Sequence, residues 1–468
     1  MNNFRFTKII AGVGPTLAKE TVLSKIINMV DAFTITLSYG FDDNNKKYID
    51  TLMKLDNSKT IIIETKGHTI RVKNTSDIPL KKGQKITVDY SEYTQDGDKK
   101  IFIDYAHLDK LSEGDEIVFE SSQVLLKIEH QQEDYAECVV VHPGAQKKIL
   151  QYDRVSLEHN EEETGVLSNQ DKKDILRGLE YGTHVVALSA CYSASHLEDA
   201  KKFLNEQHAT EMKVFAKIET KHGLEHLEEI MKKADGIILV ADLLEKYLEK
   251  RTISQLVHEV RAKGIPVLIT YCGALGTKDY PLGKETTIKE LCEAGADGLM
   301  LETMIIEDEV FPMIDTLETL LEKYELKTRE KTVERFDEAE FEVRDYIIYN
   351  AYRITKELDI KATVCFTENG YTSARIASLN PKVPVITFTK SNDTYRFLSL
   401  VRGVKGYKIS QSFNYENLKR IGKEMIRIIF KGNISLDDKV LIVQANEYHD
   451  GVKSDMINGV ELYHFKNI

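Results

Sequence analysis

The sequence predicts an α/β protein: a (β/α)8 TIM barrel, an inserted all-β domain after the third barrel strand, and a C-terminal α/β domain. Three observations predict it. Short β-branched runs alternate with amphipathic stretches over most of the 468 residues. That alternation breaks once, from 70 to about 154, where helical spacing disappears and short alternating strands replace it. A charged stretch at 327–342 then separates the series from a second α/β region. The boundaries fall at 1–70 and 155–342 for the two parts of the barrel, 71–154 for the insertion and 343–468 for the last domain. About three domains is also what the length implies at roughly 150 residues each.

The barrel strands are expected at 8–11, 33–37, 60–64, 185–190, 213–219, 236–242, 266–272 and 298–302. Between most of them lie apolar residues at helical spacing, such as Leu224, Leu227, Ile230 and Met231. Eight buried parallel strands, each with a helix, is the element count of a closed barrel, whereas an open doubly wound sheet needs no such regular series. The insertion offers strands at 85–89, 100–104, 116–120, 124–129 and 136–141, and the last domain at 362–367, 384–389 and 439–445. No repeat or low-complexity tract interrupts this order.

Composition narrows the partners. With 63 Lys+Arg against 75 Asp+Glu the formal charge is −12, and no Lys/Arg-dense block appears, so a nucleic-acid partner is not expected. Hydrophobic content of 42% with 29% charged residues suits a globular enzyme, and no run approaches the ~18 apolar residues of a membrane span. The N-terminus lacks the apolar core and cleavage site of a signal peptide. Cys138, Cys191, Cys272, Cys292 and Cys365 are scattered, odd in number and without CxxC spacing, which fits reduced thiols in a cytoplasmic protein.

In a barrel the site forms at the C-terminal ends of the strands, so charged residues there carry the most information. The fifth strand runs Val214-Phe-Ala-Lys-Ile-Glu219, and period-2 alternation puts Lys217 and Glu219 on one face. Two opposite charges there suggest a ligand or ion, a plain Lys217–Glu219 ion pair being the competing reading. The sixth strand is expected to end in Asp242, and two carboxylates from adjacent strand ends form a sparse oxygen set suited to Mg²⁺. The alternative for Asp242 is a helix cap. Glu64 and Thr65 close the third strand, and Thr270-Tyr271 brings a hydroxyl to the seventh. A lysine ammonium, a divalent cation and hydroxyls are equipped to stabilise an enolate or a transferring phosphoryl group.

These residues resemble pyruvate kinases. The segment TKIIAGVGP (7–15) resembles that family's opening strand, and ETKGHTIR (64–71) resembles its DTKGPEIR. AKIETKHGLEHLEEIMKKADGI (216–237) resembles its AKIEN segment with the helix and strand that follow, and the β insertion sits where the family carries a mobile lid. The resemblance implies Mg²⁺-dependent (or Mn²⁺-dependent) transfer of a phosphoryl group from phosphoenolpyruvate to ADP, giving pyruvate and ATP in glycolysis, by a cytoplasmic homotetramer or homodimer. It makes Lys217 the cationic catalytic group, Glu219 and Asp242 the divalent-ion ligands, and Thr270 or Tyr271 the hydroxyl beside the enolate carbon. Ser38, Glu64 and Thr65 fall where the family holds K⁺, and Arg71 matches a nucleotide-side arginine. Thr367-Glu-Asn-Gly-Tyr-Thr-Ser373 resembles the TxSGRSA turn that holds a sugar-phosphate effector, with Thr367, Asn369, Thr372 and Ser373 as its phosphate donors; a capped helix start is the competing reading.

Departures accompany the matches. Thr34 stands where the family has a phosphate-binding arginine and Thr36 where it has a potassium-ligand asparagine. The Arg-Gly before the metal aspartate and the Gly after it are lost around Asp242, and the seventh and eighth βα loops are altered or shortened. Thr69 occupies the position that sets potassium dependence. Two alternatives therefore accompany the kinase reading: a non-catalytic homologue that binds a metabolite or partner, and a Mg²⁺-dependent oxo-acid lyase using the same enolate chemistry.

Overall fold

The computed structural model describes residues 4–14, 19–37, 43–67, 69–89, 100–105, 111–150, 153–157, 167–271, 280–301, 307–328, 343–410, 415–444 and 459–468. The chain divides into two compact units, Met1–Lys66 with Gly165–Ile468, and Gly67–Thr164.

In the first unit eight parallel strands close into a barrel: β1 (Lys8–Gly12), β2 (Ala32–Thr36), β3 (Thr60–Glu64), β4 (Val185–Leu188), β5 (Lys213–Ile218), β6 (Gly236–Val240), β7 (Val267–Thr270) and β8 (Gly298–Leu301). Each strand neighbours the next in sequence, and β8 returns to pair with β1. Alternation along the strands feeds two cores. Ile10, Ile62, Phe215, Ile238, Leu268 and Met300 fill the interior, while Ile9, Ile63, Val214, Ala216, Ile237 and Ile269 pack outward with the surrounding helices. The parity that buries Phe215 inside the barrel carries Lys217, two residues on, toward the barrel mouth.

The same unit holds a second sheet of order β11-β10-β9-β12-β13, built from β9 (Ile360–Phe366), β10 (Val385–Thr389), β11 (Val404–Lys408), β12 (Lys439–Gln444) and β13 (Gly459–His464). All its pairings are parallel except β12 with β13. This domain packs against the N-terminal ends of the barrel strands. The Phe215 and Phe397 rings lie 6.4 Å apart, Lys8 Nζ donates to the Val404 carbonyl at 2.8 Å, and Arg396 Nη1 donates to the Lys59 carbonyl at 2.6 Å. That leaves the opposite end of the barrel for a site.

The second unit is a seven-stranded, mainly antiparallel sheet over its own core of Ile86, Val88, Ile117, Phe119, Leu126 and Val140. Its strands include Lys85–Asp89, as expected, and Val124–Gln131, which runs two residues past the expected 124–129. No described helix is long and apolar enough to cross a membrane.

Candidate active site

The mouth of the barrel is organised around a buried carboxylate. Glu64, the last residue of β3, is 1% exposed and Lys217 is 6% exposed. Lys217 Nζ donates to Glu64 Oε2 at 2.6 Å, and Thr34 Oγ1 on β2 donates to Glu64 Oε1 at 2.7 Å. Both carboxylate oxygens are thus held, one by an ammonium and one by a hydroxyl. Two buried opposite charges at this distance form a charge-assisted hydrogen bond shielded from water.

Lys217 thus pairs with Glu64, a partner that strand parity on β5 does not supply. β5 stops at Ile218, and Glu219 begins the turn into the next helix. There Glu219, 5% exposed, accepts a hydrogen bond from the Ala190 N–H at 2.6 Å. Ala190 follows β4 with φ +49°, a left-handed conformation that costs a non-glycine residue about 1–2 kcal/mol. That backbone turns its amide onto the Glu219 carboxylate.

Asp242 does not end a strand. β6 stops at Val240, and Asp242 is the second residue of the short helix Ala241–Glu245, where it is half-buried. Its negative charge reaches two neighbours. Burial and Asp242 together raise the Glu245 carboxyl above its ordinary range, and burial followed by Glu245 and Asp242 pushes the Tyr271 phenol well up. Asp242, Glu245 and Tyr271 thus share one acidic corner at the ends of β6 and β7.

Of the two hydroxyl candidates on the seventh strand, Thr270 is fully buried and donates to the Met300 carbonyl at 3.3 Å, while Tyr271 is 5% exposed beside the carboxylates. Thr65 is 1% exposed and its Oγ1 accepts from the Ser189 N–H at 3.3 Å. Ser38 lies outside the described residues. Arg71 belongs to the inserted unit, where its backbone N–H donates to Asp104 Oδ1.

In the C-terminal domain the Thr367–Ser373 turn closes on itself. Thr367 Oγ1 accepts from the Gly370 N–H at 2.9 Å, Asn369 Oδ1 accepts from the Tyr371 N–H at 3.1 Å, and Ser373 Oγ accepts from Thr387 Oγ1 at 2.8 Å. Gly370 adopts φ +89°, and Thr372 is buried at the start of the helix Tyr371–Ser378. The N-cap Gly370 has no side-chain cap, so the Thr367 and Asn369 bonds are local turn bonds ahead of the helix, and Ser373 is tied to the neighbouring strand.

From sequence Thr34 reads only as a missing arginine, and Ala190 and Glu245 are not among the expected site residues. Nothing local marks Ala190, because alanine has no preference for the left-handed region. Glu245 could have been found from its spacing, three residues after Asp242 and hence on the same helical face.

Chemically, this mouth brings together one fixed ammonium, two buried and hydrogen-bonded carboxylates, a half-buried carboxylate and buried hydroxyls. Two family models match the chain: the pyruvate kinase barrel domain over residues 4–268, and the pyruvate kinase alpha/beta domain over residues 345–458. A pyruvate kinase of Staphylococcus aureus is 27% identical over 432 residues, covering 86% of this chain and 71% of that protein. A pyruvate kinase of Thermococcus litoralis is 24% identical over 472 residues, covering 94% and 95%. The crystal structure of Cryptosporidium parvum pyruvate kinase superposes with a TM-score of 0.82 over 98% of this chain and 97% of that one; at 18% identity this likeness shows the shared fold.

Proposed function

Since the chain belongs to the pyruvate kinase family, we propose that it catalyses Mg²⁺-dependent phosphoryl transfer from phosphoenolpyruvate to ADP, yielding pyruvate and ATP. The observation that carries this reading is the buried Lys217 ammonium at the barrel mouth, held at 2.6 Å by Glu64. A charge fixed before substrate arrives needs no reorganisation as negative charge develops on the transferring group or the enolate oxygen, which is the main source of such catalysis. Glu64 is a positioning residue here, and the Thr34 hydroxyl in turn fixes the carboxylate.

The donor set fits a magnesium ion. Glu219 and Asp242 are oxygen ligands from adjacent units of the barrel, and among the described residues no three His, Cys, Asp or Glu side chains converge into an all-protein site. Mg²⁺ favours one or two carboxylates with waters and substrate oxygens completing its shell, and when bound it neutralises phosphoryl charge. The Ala190 amide fixes one Glu219 oxygen, which orients the carboxylate for that role. Thr270 and Tyr271, buried at the end of β7, offer the two hydroxyls from which a proton would reach the enolate carbon.

A potassium ion fits less well. Glu64, the family's potassium-side carboxylate, already holds the Lys217 ammonium on one oxygen and the Thr34 hydroxyl on the other, and a second cation beside Lys217 would meet its repulsion. No step is routed through potassium. The proposal is tested by a lactate-dehydrogenase-coupled assay with phosphoenolpyruvate and ADP, run with Mg²⁺, with Mn²⁺, with chelator, and with and without K⁺. Turnover requiring the divalent ion but not K⁺ supports the reading. Background turnover alongside thermal stabilisation by the substrates supports a binding homologue instead.

A further inference from the structure

A basic cavity lies away from the barrel mouth, in the first unit where the barrel's N-terminal end meets the C-terminal domain. Its volume is about 520 Å³, and its walls include Asn57, Tyr395, Arg396, Lys405, Tyr407 and Lys408. None of the described residues lining it is acidic, although the whole chain carries −12. None belongs to the Thr367–Ser373 turn or to the barrel mouth.

The cavity has a built interior rather than a scatter of surface lysines. Arg396 is 7% exposed, with its guanidinium clamped by the Asn57 and Lys59 carbonyls through Nη2 and Nη1. Its buried Nε has no hydrogen-bond partner among the described atoms. A buried guanidinium N–H without an acceptor is destabilising, and an anionic oxygen is the partner that removes that cost most effectively. Lys408 Nζ is turned toward Asn392 Oδ1 at 3.4 Å, while Lys405 stands exposed on the same strand. That strand, β11, is the edge of its sheet, so alternate backbone amides along it are not used by a neighbouring strand. Two tyrosine rings complete the walls.

We infer that this cavity binds a phosphate monoester whose organic part packs against Tyr395 and Tyr407, with the phosphate met by Arg396, Lys405 and Lys408. A dianion suits three cations better than an uncharged or zwitterionic ligand does; Asp56 and Asp393 act on Arg396 but do not line the cavity. The aromatic walls favour a planar or ring-bearing ester over inorganic phosphate. The inference is independent of the reaction at the barrel mouth.

Isothermal titration calorimetry on the full chain tests it with three probes: inorganic phosphate, glycerol phosphate and phenyl phosphate. The expected order of affinity is phenyl phosphate first, and each binding should weaken as salt rises. Lys405→Ala/Lys408→Ala changes two exposed side chains, so the fold should persist by circular dichroism, and phenyl phosphate binding should fall by roughly tenfold or more. In Lys217→Ala, which removes the ammonium of the other site, phenyl phosphate binding should be retained. Loss of binding in Lys217→Ala with no change in the double variant would place the ligand at the barrel mouth and overturn the inference. Absence of binding by all three probes in the unaltered chain would overturn it as well.

Discussion

Charge is buried at both ends of the barrel, in different ways. At the N-terminal end Asp297, 2% exposed, accepts three hydrogen bonds: from Arg261 Nη1 at 2.7 Å, the Val267 N–H at 3.0 Å and the Arg402 N–H at 2.8 Å. Glu325 accepts the Phe6 and Thr7 N–H groups, and Arg261 also donates to the Ala377 carbonyl at 2.5 Å. Partners there are largely main-chain atoms of the barrel and of the C-terminal domain, so the charges fasten two domains together. At the mouth the partners are side chains and one strained amide, and Asp242 remains half-buried. Buried charge alone therefore does not mark a site; the marker is charge held by a few side-chain contacts at strand ends, with strained backbone beside it.

Substitutions at the two ends should separate stability from turnover. The largest effect on stability is expected from Asp297→Ala, which strands Arg261 in the interior and should lower unfolding free energy by about 3–5 kcal/mol in urea melts. At substrate saturation the folded fraction should keep its turnover; a loss of turnover larger than the loss of folded protein would dissolve the contrast. Next is acid sensitivity at the lower end. His184 Nδ1 accepts the Ile61 N–H at 3.0 Å, and burial, followed by the Arg396 charge, lowers its pKa to about 3. The folded state therefore resists a proton that the unfolded chain takes up below its ordinary value near 6.5. Stability from this group is present above pH 6.5 and is lost as pH falls toward 3, amounting to about 1.5 kcal/mol between pH 6.5 and 5. His184→Asn keeps an acceptor without a titrating ring and should flatten that part of the stability–pH curve; an unchanged slope would assign the acid sensitivity elsewhere. The smallest effect belongs to Thr34→Val, which removes one hydrogen bond to Glu64 worth about 1 kcal/mol. At the mouth that loosening should appear as reduced kcat with little change in melting temperature, and the reverse pattern would make Thr34 a packing residue.

Much of the fold was legible because strand burial leaves a direct trace in sequence. β3 falls at 60–64 as expected, and the other barrel strands lie within two residues of their expected ends. Two strands of the C-terminal sheet, β11 and β13, escaped notice. Both are edges, and Lys405, Gly406 and Lys408 on β11 look like a loop because an edge strand needs no continuous apolar run. At the site, strand parity was enough to turn Lys217 to the mouth. It could not supply Lys217's partner, 153 positions away, because such pairing depends on strand order around the closed barrel. Nor could it place Asp242 in the first turn of a helix rather than at its cap, since the switch from strand to helix at Ala241 has no proline or glycine to mark it and the N-cap Val240 has no capping side chain.

The proposed function requires that the buried Lys217 ammonium serve the reaction and not the fold. The direct measurement is the rate of ATP formation from phosphoenolpyruvate and ADP with saturating Mg²⁺, comparing the unaltered chain with Lys217→Ala at matched folded concentration. A fall in kcat of about 10²–10³ is predicted. A Lys217→Ala variant that turns over at the rate of the unaltered chain would contradict it.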